Sequence, residues 1–305
     1  MNNILIVLLG PTGVGKTELS LELAEHFGSE IISCDSRQFY YQMHIGTAAP
    51  EECQLSRVPH HFLNFLSVEE YYSASLFERD VLSLLPSLFI KSPVSIMTGG
   101  SMLYIDAVCK GIDDIPDTDP AVRKKYIDLY EKEGIEGLRL ALRMIDPKHY
   151  AAVDLQNPRR IMRALEISVT TGRPYSSFLT ASPRERDFRI IKAGVNRSRE
   201  ELFERINKRV DIMIASGLEE EARQLYQYKG LNALNTVGYS ELFSWFEGEI
   251  TREKAVELIK RNTRRYAKKQ LTWWSKDKDI VWFDASEKDR LTEWLNSEIS
   301  KENIR

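Results

Sequence analysis

The sequence predicts an α/β fold in which helices cover both faces of a parallel sheet and an all-helical domain is inserted into the chain. Three observations predict this fold. Short runs of β-branched and aliphatic residues alternate with segments of helical periodicity. The first of these runs, residues 4–9, leads directly into a glycine-rich loop. Later in the chain, residues 116–187 contain no convincing strand.

Each predicted strand is a short apolar run, as expected for parallel strands that are buried on both faces. The predicted strands are residues 4–9, 30–33, 93–98, 189–195 and 280–284. Helical periodicity follows or separates them at residues 102–109, 199–216, 218–228 and 251–274. Strands that alternate with helices in this way predict a sheet between two helical layers.

The proline-rich and acidic stretch at residues 111–120 reads as a domain boundary. Beyond it, helical periodicity fits residues 121–133, 136–144 and 158–171, and the last segment ends at Gly172. These helices are either further core helices or a separate domain, and the missing strands favour the second interpretation. We therefore predict a P-loop catalytic core of residues 1–115 and 188–305, with a helical insertion domain of residues 116–187.

Residues 10–17 match the Walker A pattern at every fixed position and lie between a predicted strand and a predicted helix. Glycines in such a loop let backbone N–H groups converge on phosphate oxygens at a helix N-terminus. Lys16 adds positive charge, and the Thr17 hydroxyl can ligate Mg²⁺. The motif predicts a P-loop NTPase-like core that binds a polyphosphate, without specifying ATP.

Asp35 follows the second predicted strand, at the sheet edge where ligands bind in open α/β folds. It either faces the P-loop or only caps a turn. Residues 99–101, Gly-Gly-Ser, form either a second small cradle or a simple turn. Arg205 and Arg209 lie one helical turn apart, so that one of them can reach a diphosphate unless both are surface arginines. His60 and His61 have no partner at metal-ligand spacing and are interpreted as structural.

The formal net charge of −3 hides an uneven distribution of basic residues. No acidic residue lies between Glu257 and Asp277, and the basic residues there are Lys260, Arg261, Arg264, Arg265, Lys268, Lys269 and Lys276. This stripe is either a solvated helix face or a nucleic-acid-binding surface. The cysteines, Cys34, Cys53 and Cys109, are odd in number and widely spaced, which favours neither a disulfide framework nor a zinc site.

We expect no secretory signal peptide or membrane span in the first residues of this sequence. Residues 1–3 have no basic character, and the apolar run of residues 4–9 is too short for a signal peptide or a membrane span. We therefore expect a cytoplasmic protein without a membrane partner.

Several separate segments together resemble the bacterial tRNA dimethylallyltransferase family, also called tRNA isopentenyltransferase. The matching segments are GPTGVGKT (10–17), SCDSRQ (33–38), VPHH (58–61), GGSMLY (99–104), NPRRIMRALE (157–166) and VGY (237–239). They occur in family order over nearly the whole chain, whereas a P-loop kinase shares only the first of them.

The resemblance implies that dimethylallyl diphosphate, rather than ATP, lies on the P-loop together with Mg²⁺ held at Thr17. The dimethylallyl group then passes to N6 of the adenosine directly 3′ of the anticodon, position 37 of tRNA. In the implied catalytic set, Asp35 accepts the N6 proton, while Lys16, Thr17 and Arg209 act on the leaving diphosphate. The family also suggests a monomer.

The resemblance assigns two sets of binding residues by position. The diphosphate-binding set is Gly10, Pro11, Thr12, Gly13, Val14, Gly15, Lys16 and Thr17. The tRNA-binding set is Asp35, Ser36, Arg37, Gln38, Ser101, Arg123, Arg159, Arg160, Ile161, Met162, Arg163, Asn235, Thr236, Val237, Gly238, Tyr239 and Ser240. Ser101 stands where threonine is usual and keeps the hydroxyl, whereas Ser240 stands where a basic residue is common.

A base must leave its stack before its exocyclic amine can react, and aromatic side chains often replace the lost stacking. Phe39, Tyr40 and Tyr239 are candidates for that role, or else they belong to the core. Other functions compatible with the P-loop are a small-molecule or nucleotide kinase, a prenyltransferase for free adenine nucleotides and an RNA-binding GTPase-like module. The arginines of the insertion domain disfavour the second, and no N-K-x-D guanine-binding motif supports the third.

Overall fold

The computed structural model describes residues 3–113, 115–116, 119–179 and 184–301. The chain divides into two compact units, one made of residues up to Lys110 together with residues from Glu185 onward, and one running from Gly111 to Arg184. The first boundary lies five residues before the predicted one (110 against 115), and the second lies three residues before it (184 against 187).

Within the described residues, the first unit contains one sheet of six parallel strands in the order β3-β2-β4-β1-β5-β6. The strands are β1 Ile4–Leu9, β2 Ile31–Ser33, β3 His60–His61, β4 Val94–Gly99, β5 Arg189–Asn196 and β6 Ile280–Asp284. The predicted α/β fold with a parallel sheet is confirmed. Strand β3 was not predicted, because two half-buried histidines at a sheet edge form no apolar run.

The helices lie mostly where periodicity placed them. In chain order they are α1 Lys16–Phe27, α2 Glu52–Leu55, α3 Ala74–Lys91, α4 Met102–Lys110, α5 Pro120–Ile145, α6 Pro147–Ala152, α7 Pro158–Thr171, α8 Arg199–Ala215, α9 Leu218–Leu225, α10 Tyr239–Phe246, α11 Arg252–Trp274 and α12 Lys288–Ser300. Five of these helices were not predicted, namely α2, α3, α6, α10 and α12. In α3 the internal Pro86 weakens the helical signal. Among the described residues, no helix is both long and apolar enough to cross a bilayer.

Strand β1 is the centre of the sheet, and all its side chains are buried. Ile4, Ile6 and Leu8 pack into one hydrophobic cluster, and the alternate residues pack into a second cluster, as the period of two requires. The registers pair Leu9 with Gly99 on β4 and with Gly194 on β5. The carboxyl ends of these three strands therefore meet at one edge of the sheet, and the loops that follow them lie side by side.

The second unit has its own core, made from α5 and α7. Tyr126, Leu138 and Leu142 of α5 pack against buried residues of α7. Helix α5 is interrupted at Gly134, whose φ of 66° and ψ of −160° are not helical. The interruption explains why periodicity predicts two helices there. Asn157 caps α7 by accepting a hydrogen bond from the backbone N–H of Arg160 at 3.3 Å.

Candidate active site

A cavity of about 390 Å³ lies at the carboxyl edge of the sheet, in the first unit. The P-loop and the residues that follow β2 and β4 line it, together with α8 and α11. The motifs that follow separate strands therefore come together, as the fold predicts. Lys16, Thr17, Asp35 and Arg209 all line this one cavity.

The P-loop takes the conformation that its glycines permit. A Cβ atom on Gly10 would lie only 2.3 Å from the carbonyl oxygen of Val195, so no larger residue fits beside β5. Gly15 has a φ of 109° and precedes the first turn of α1. The loop thus leads directly into a helix N-terminus, where backbone N–H groups favour an anion.

Lys16 folds back over the P-loop. Its Nζ donates hydrogen bonds to the carbonyl oxygens of Gly10 at 2.7 Å and Pro11 at 3.1 Å. Burial and the positive charge of Arg209 lower the pKa of Lys16 to about 7, although Asp35 acts in the opposite direction. A bound diphosphate would restore the positive charge, because an opposite charge nearby favours the protonated amine.

Arginines surround the loop from the side of α8. Arg205 Nε donates to the carbonyl oxygen of Gly13, and Arg197 Nε donates to that of Val14, both at 2.9 Å. Burial lowers the pKa of Arg209, while Asp35 raises it. Arg197 was not predicted as a site residue, because an isolated arginine after a strand matches no pattern.

Asp35 combines the two roles that the sequence left as alternatives. Its Oδ1 accepts a hydrogen bond from the backbone N–H of Arg37 at 3.0 Å, which stabilises a turn after β2. The same carboxylate lines the cavity opposite Lys16. Asp35 thus caps a turn and also lines the cavity that the P-loop lines.

Ser101 holds the turn that follows Asp35. Its Oγ accepts a hydrogen bond from the backbone N–H of Ser36 at 2.8 Å and donates to the Ser36 Oγ at 3.0 Å. Ser101 is buried. Gln38 is likewise engaged with the protein, since its Oε1 accepts from Ser33 Oγ at 3.2 Å. Gln38 lines the cavity, and Ser101 supports the turn beside it.

Gln270 of α11 is the cavity residue that sequence analysis missed most clearly. Its side chain is fully buried, and its Oε1 accepts the backbone N–H of Thr12 at 2.9 Å. Its Nε2 donates to the carbonyl oxygen of Gly100 at 2.8 Å, which also accepts from Tyr266 OH at 3.1 Å. The only signal was the spacing of Tyr266 and Gln270, four residues apart on the face opposite the basic stripe.

Two of the predicted tRNA contacts need correction. Ile161 is fully buried in the core of the second unit, and Tyr239 is fully buried in the first unit with its hydroxyl bonded to Glu221. A side chain without exposed surface cannot contact RNA in this conformation, so both predictions are wrong for the side chains. Helical spacing could not distinguish the buried face from the exposed one.

The aromatic candidates for base stacking belong to the core. Phe39 is fully buried, and its ring centroid lies 5.2 Å from that of Tyr72 and 5.6 Å from that of Phe77. Tyr40 is also buried and packs with Tyr239 in another cluster. The structure therefore decides between the two alternatives in favour of core packing.

The remaining predicted tRNA positions retain exposed surface to different degrees. In the second unit, Arg123, Arg159 and Arg160 are exposed, and Arg163 and Met162 are half-buried. The guanidinium of Arg123 lies 4.0 Å from the carboxylate of Glu166. Burial raises the pKa of Glu166, and the positive charges of Arg123 and Arg163 only partly oppose this shift. In the first unit, Asn235 and Ser240 are exposed and Gly238 is buried. Thr236 and Val237 are half-buried.

The basic stripe on α11 is partly engaged with α8. Lys260 pairs with Asp211 at 2.5 Å, and Arg264 donates to Asn207 and lies over the ring of Phe203. The exposed members of the stripe are Arg265, Lys268, Lys269 and Lys276. Part of the stripe thus makes contacts within the protein, and the other part is exposed to solvent.

Comparisons with known proteins agree with the fold and the motifs. A family model described as IPP transferase matches residues 38–277. The chain is 54% identical over 297 residues to tRNA dimethylallyltransferase 1 of Phocaeicola vulgatus, covering 97% of this chain and 99% of that protein. It is equally similar to tRNA dimethylallyltransferase 2 of Parabacteroides distasonis, with 54% identity over 297 residues and the same coverage of each chain.

Solved structures show the same relationship. The full-length tRNA isopentenylpyrophosphate transferase from Bacillus halodurans is 32% identical with a TM-score of 0.72, over 99% of this chain and 98% of that one. A eukaryotic dimethylallyltransferase acting on tRNA is 26% identical with a TM-score of 0.79, over 99% of this chain and 79% of that one. The chain therefore belongs to the IPP transferase family, as its motifs predicted.

Proposed function

We propose that the protein transfers the dimethylallyl group of dimethylallyl diphosphate to N6 of adenosine 37 in tRNA and releases diphosphate. The observation that carries the proposal is the single cavity that brings the P-loop, Asp35 and Arg209 together in a member of this family. The names of the relatives support a tRNA prenyltransferase over the kinase alternative.

In the proposed reaction, the N6 nitrogen forms a bond to the allylic carbon as the bond from that carbon to the diphosphate oxygen breaks. The bonding pair leaves with the diphosphate, and the N6 proton passes to the carboxylate of Asp35. Lys16 and Arg209 stabilise the charge that develops on the diphosphate, in a cavity where burial strengthens such interactions. No covalent intermediate with the enzyme is needed.

The active site must also bind the diphosphate group of the donor. The backbone of residues 10–17 and the N-terminus of α1 provide N–H groups for this purpose. Arg205 adds charge, since its guanidinium contacts the loop at Gly13 and lines the same cavity. We therefore propose that residues 10–17 form the diphosphate site.

Mg²⁺ fits the residues at this site. Thr17 is exposed in the first turn of α1 and lines the cavity, which leaves its hydroxyl accessible as a ligand. Mg²⁺ typically takes one or two protein oxygens and completes its shell with phosphate oxygens and water. When bound, it would neutralise charge on the departing diphosphate.

Two exposed basic regions support tRNA binding. One consists of Arg159 and Arg160 in the second unit, and the other is the exposed part of the α11 stripe in the first unit. Neutralisation of phosphates by such residues supplies most of the non-specific affinity for nucleic acid. We propose that both regions contact the tRNA backbone.

We further propose that the enzyme acts as a cytoplasmic monomer. One chain supplies all four proposed catalytic residues, Lys16, Thr17, Asp35 and Arg209. A second copy is therefore not needed to complete the site. Analytical ultracentrifugation of the active enzyme tests the oligomeric state.

Intact-mass measurement of an unmodified tRNA transcript tests the function directly. Incubation with the enzyme, dimethylallyl diphosphate and Mg²⁺ should add the mass of one C5H8 unit. A transcript with guanosine at position 37 is the matched control and should stay unmodified. Transfer of phosphate from ATP to a small molecule, without any mass gain by the tRNA, would instead support the kinase alternative.

A further inference from the structure

The carboxylate of Glu221, on α9, accepts four hydrogen bonds from distant parts of the chain. Its Oε2 accepts the backbone N–H groups of His44 at 2.9 Å and Ile45 at 2.7 Å. Its Oε1 accepts the N–H of Gly46 at 2.8 Å and the hydroxyl of Tyr239 at 2.6 Å. Hydrogen bonds to a carboxylate are roughly twice as strong as bonds between neutral groups. One side chain thus holds three consecutive amides.

The backbone of residues 44–48, the segment that Glu221 holds, has little conformational freedom where it packs against Tyr239. A Cβ atom on Gly46 would lie 2.5 Å from the hydroxyl oxygen of Tyr239 and 2.6 Å from carbon atoms of its ring. Ala48 has a φ of 46°, a conformation that non-glycine residues adopt only when their surroundings impose it. The conformation of residues 44–48 therefore depends on the contacts with Glu221 and Tyr239.

Ala48, the last residue of this segment, lines the cavity. Gln38 Nε2 donates to the carbonyl oxygens of Thr47 and Ala48, both at 3.2 Å. Arg209 Nη2 donates to the carbonyl oxygen of Thr47 at 3.5 Å. A hydrogen bond of this length is at the limit of a useful interaction, so a small displacement of Thr47 breaks it. Thr47 thus places the segment in contact with the guanidinium of Arg209.

We propose that Glu221 is a positioning residue, which fixes residues 44–48 and thereby orients the guanidinium of Arg209 toward the diphosphate of the donor. Glu221 itself is not among the residues that line the cavity. An arginine held before the donor arrives loses less side-chain entropy on binding, and its planar group is already aligned. The inference rests on the proposed role of Arg209 in the reaction.

A purely structural role for Glu221 makes different predictions. If Glu221 only stabilised the fold, its loss would lower the melting temperature and the fraction of active enzyme without changing the KM for either substrate. If Glu221 acts through Arg209, its loss raises the KM for the donor and lowers the rate of transfer, and it leaves tRNA binding unaffected. The two roles are thus separated by substrate-specific kinetics.

The main variant is Glu221→Gln, because the amide nitrogen of glutamine cannot accept the bonds that one carboxylate oxygen now accepts. We expect the KM for dimethylallyl diphosphate to rise about tenfold and the single-turnover rate to fall about tenfold, with the KM for tRNA within about twofold of wild type. Glu220→Gln is the matched control, since Glu220 is an exposed neighbour on the same helix, and it should match wild type.

A double-mutant cycle tests whether the effect passes through Arg209. In an Arg209→Lys background, which keeps the charge but removes the bidentate group, Glu221→Gln should cause no further loss. Full additivity of the two effects would overturn the inference, and so would equal changes in KM for both substrates.

Tyr239→Phe covers the case in which Glu221→Gln does not fold. It removes one of the four donors while the carboxylate stays, and it should raise the KM for the donor about threefold with the same dependence on Arg209. An unchanged donor KM in this variant would contradict the inference. If the wild type transfers the dimethylallyl group but the effects of the Glu221 and Arg209 substitutions are additive, only this inference is overturned. If the wild type transfers nothing to tRNA, the proposed function is overturned as well.

Discussion

The backbone N–H of Thr12 in the P-loop donates a hydrogen bond of 2.9 Å to the side chain of Gln270, which lies 258 positions later in the chain. Because the same amide group also bonds Gly100 at 2.8 Å, Gln270 connects the P-loop to the loop that follows β4. The connection holds two walls of the cavity at a fixed separation. The backbone N–H of Thr12 is therefore occupied by Gln270 and is not free to donate to a phosphate on the P-loop.

The first prediction concerns this connection. Gln270→Leu keeps the approximate volume of the side chain but leaves the half-buried N–H of Thr12 without this partner, which costs about 1–3 kcal/mol. We expect the free energy of unfolding to fall by that amount in urea denaturation. Lys269→Leu is the control at an exposed neighbouring position and should change stability by less than about 0.5 kcal/mol. If both variants are equally stable, the connection does not contribute to folding.

The second prediction concerns Asp35. Asp35→Asn keeps an oxygen that can accept the bond from Arg37 N–H, but it cannot accept the N6 proton. General-base catalysis contributes about 10² to 10⁴-fold, so the single-turnover rate should fall by that factor while the melting temperature and tRNA affinity stay near wild type. Asp289→Asn, at an exposed site on α12, should leave the rate unchanged. A rate for Asp35→Asn within about threefold of wild type excludes the general-base role, provided that chemistry limits the rate.

The third prediction is a pH dependence of diphosphate binding through Lys16. Its pKa is about 7 without ligand, and a bound anion raises it toward the ordinary value. Below pH 7, Lys16 is charged with or without ligand. Above pH 7, binding must take up a proton, so the Lys16 contribution to affinity falls by up to about tenfold per pH unit.

Titration calorimetry with inorganic diphosphate between pH 6 and 9 measures this effect. The ligand itself titrates in this range, and Lys16→Met corrects for that titration because the variant keeps every other group at the site. The affinity ratio between wild type and variant should be largest at low pH. A ratio that does not change with pH contradicts the lowered pKa of Lys16.

The fourth prediction concerns the exposed arginines of the second unit. The double variant Arg159→Ala, Arg160→Ala should weaken tRNA binding and make the plot of log K against log salt shallower by about one to two, because each lost phosphate contact removes about 0.7–0.9 from the slope. Diphosphate binding should not change. The double variant Lys91→Ala, Lys288→Ala removes two lysines that pair with Glu30 and Glu22, and it is the charge-matched control. An unchanged slope in the double variant would exclude these arginines from the RNA interface.

Much of the fold and part of the site followed from the sequence, because the signals are local. The run of residues 4–9, the glycines of residues 10–17 and the helical periodicity after Lys16 form one continuous segment, which specifies strand, loop and helix by itself. The order of the motifs along the chain was enough to indicate the family. The interruption of α5 at Gly134 was also visible as a break in periodicity.

Tertiary structure alone decided which polar and aromatic residues face the cavity and which are buried. Gln270 and Glu221 act through partners about 170 to 260 positions away, and no local pattern encodes such pairs. Ile161 and Tyr239 lie in segments that resemble RNA-contacting motifs, yet both side chains fill cores. A motif specifies residue types and spacing, whereas the face of an element that becomes buried depends on what packs against it, and only the folded chain supplies that neighbour.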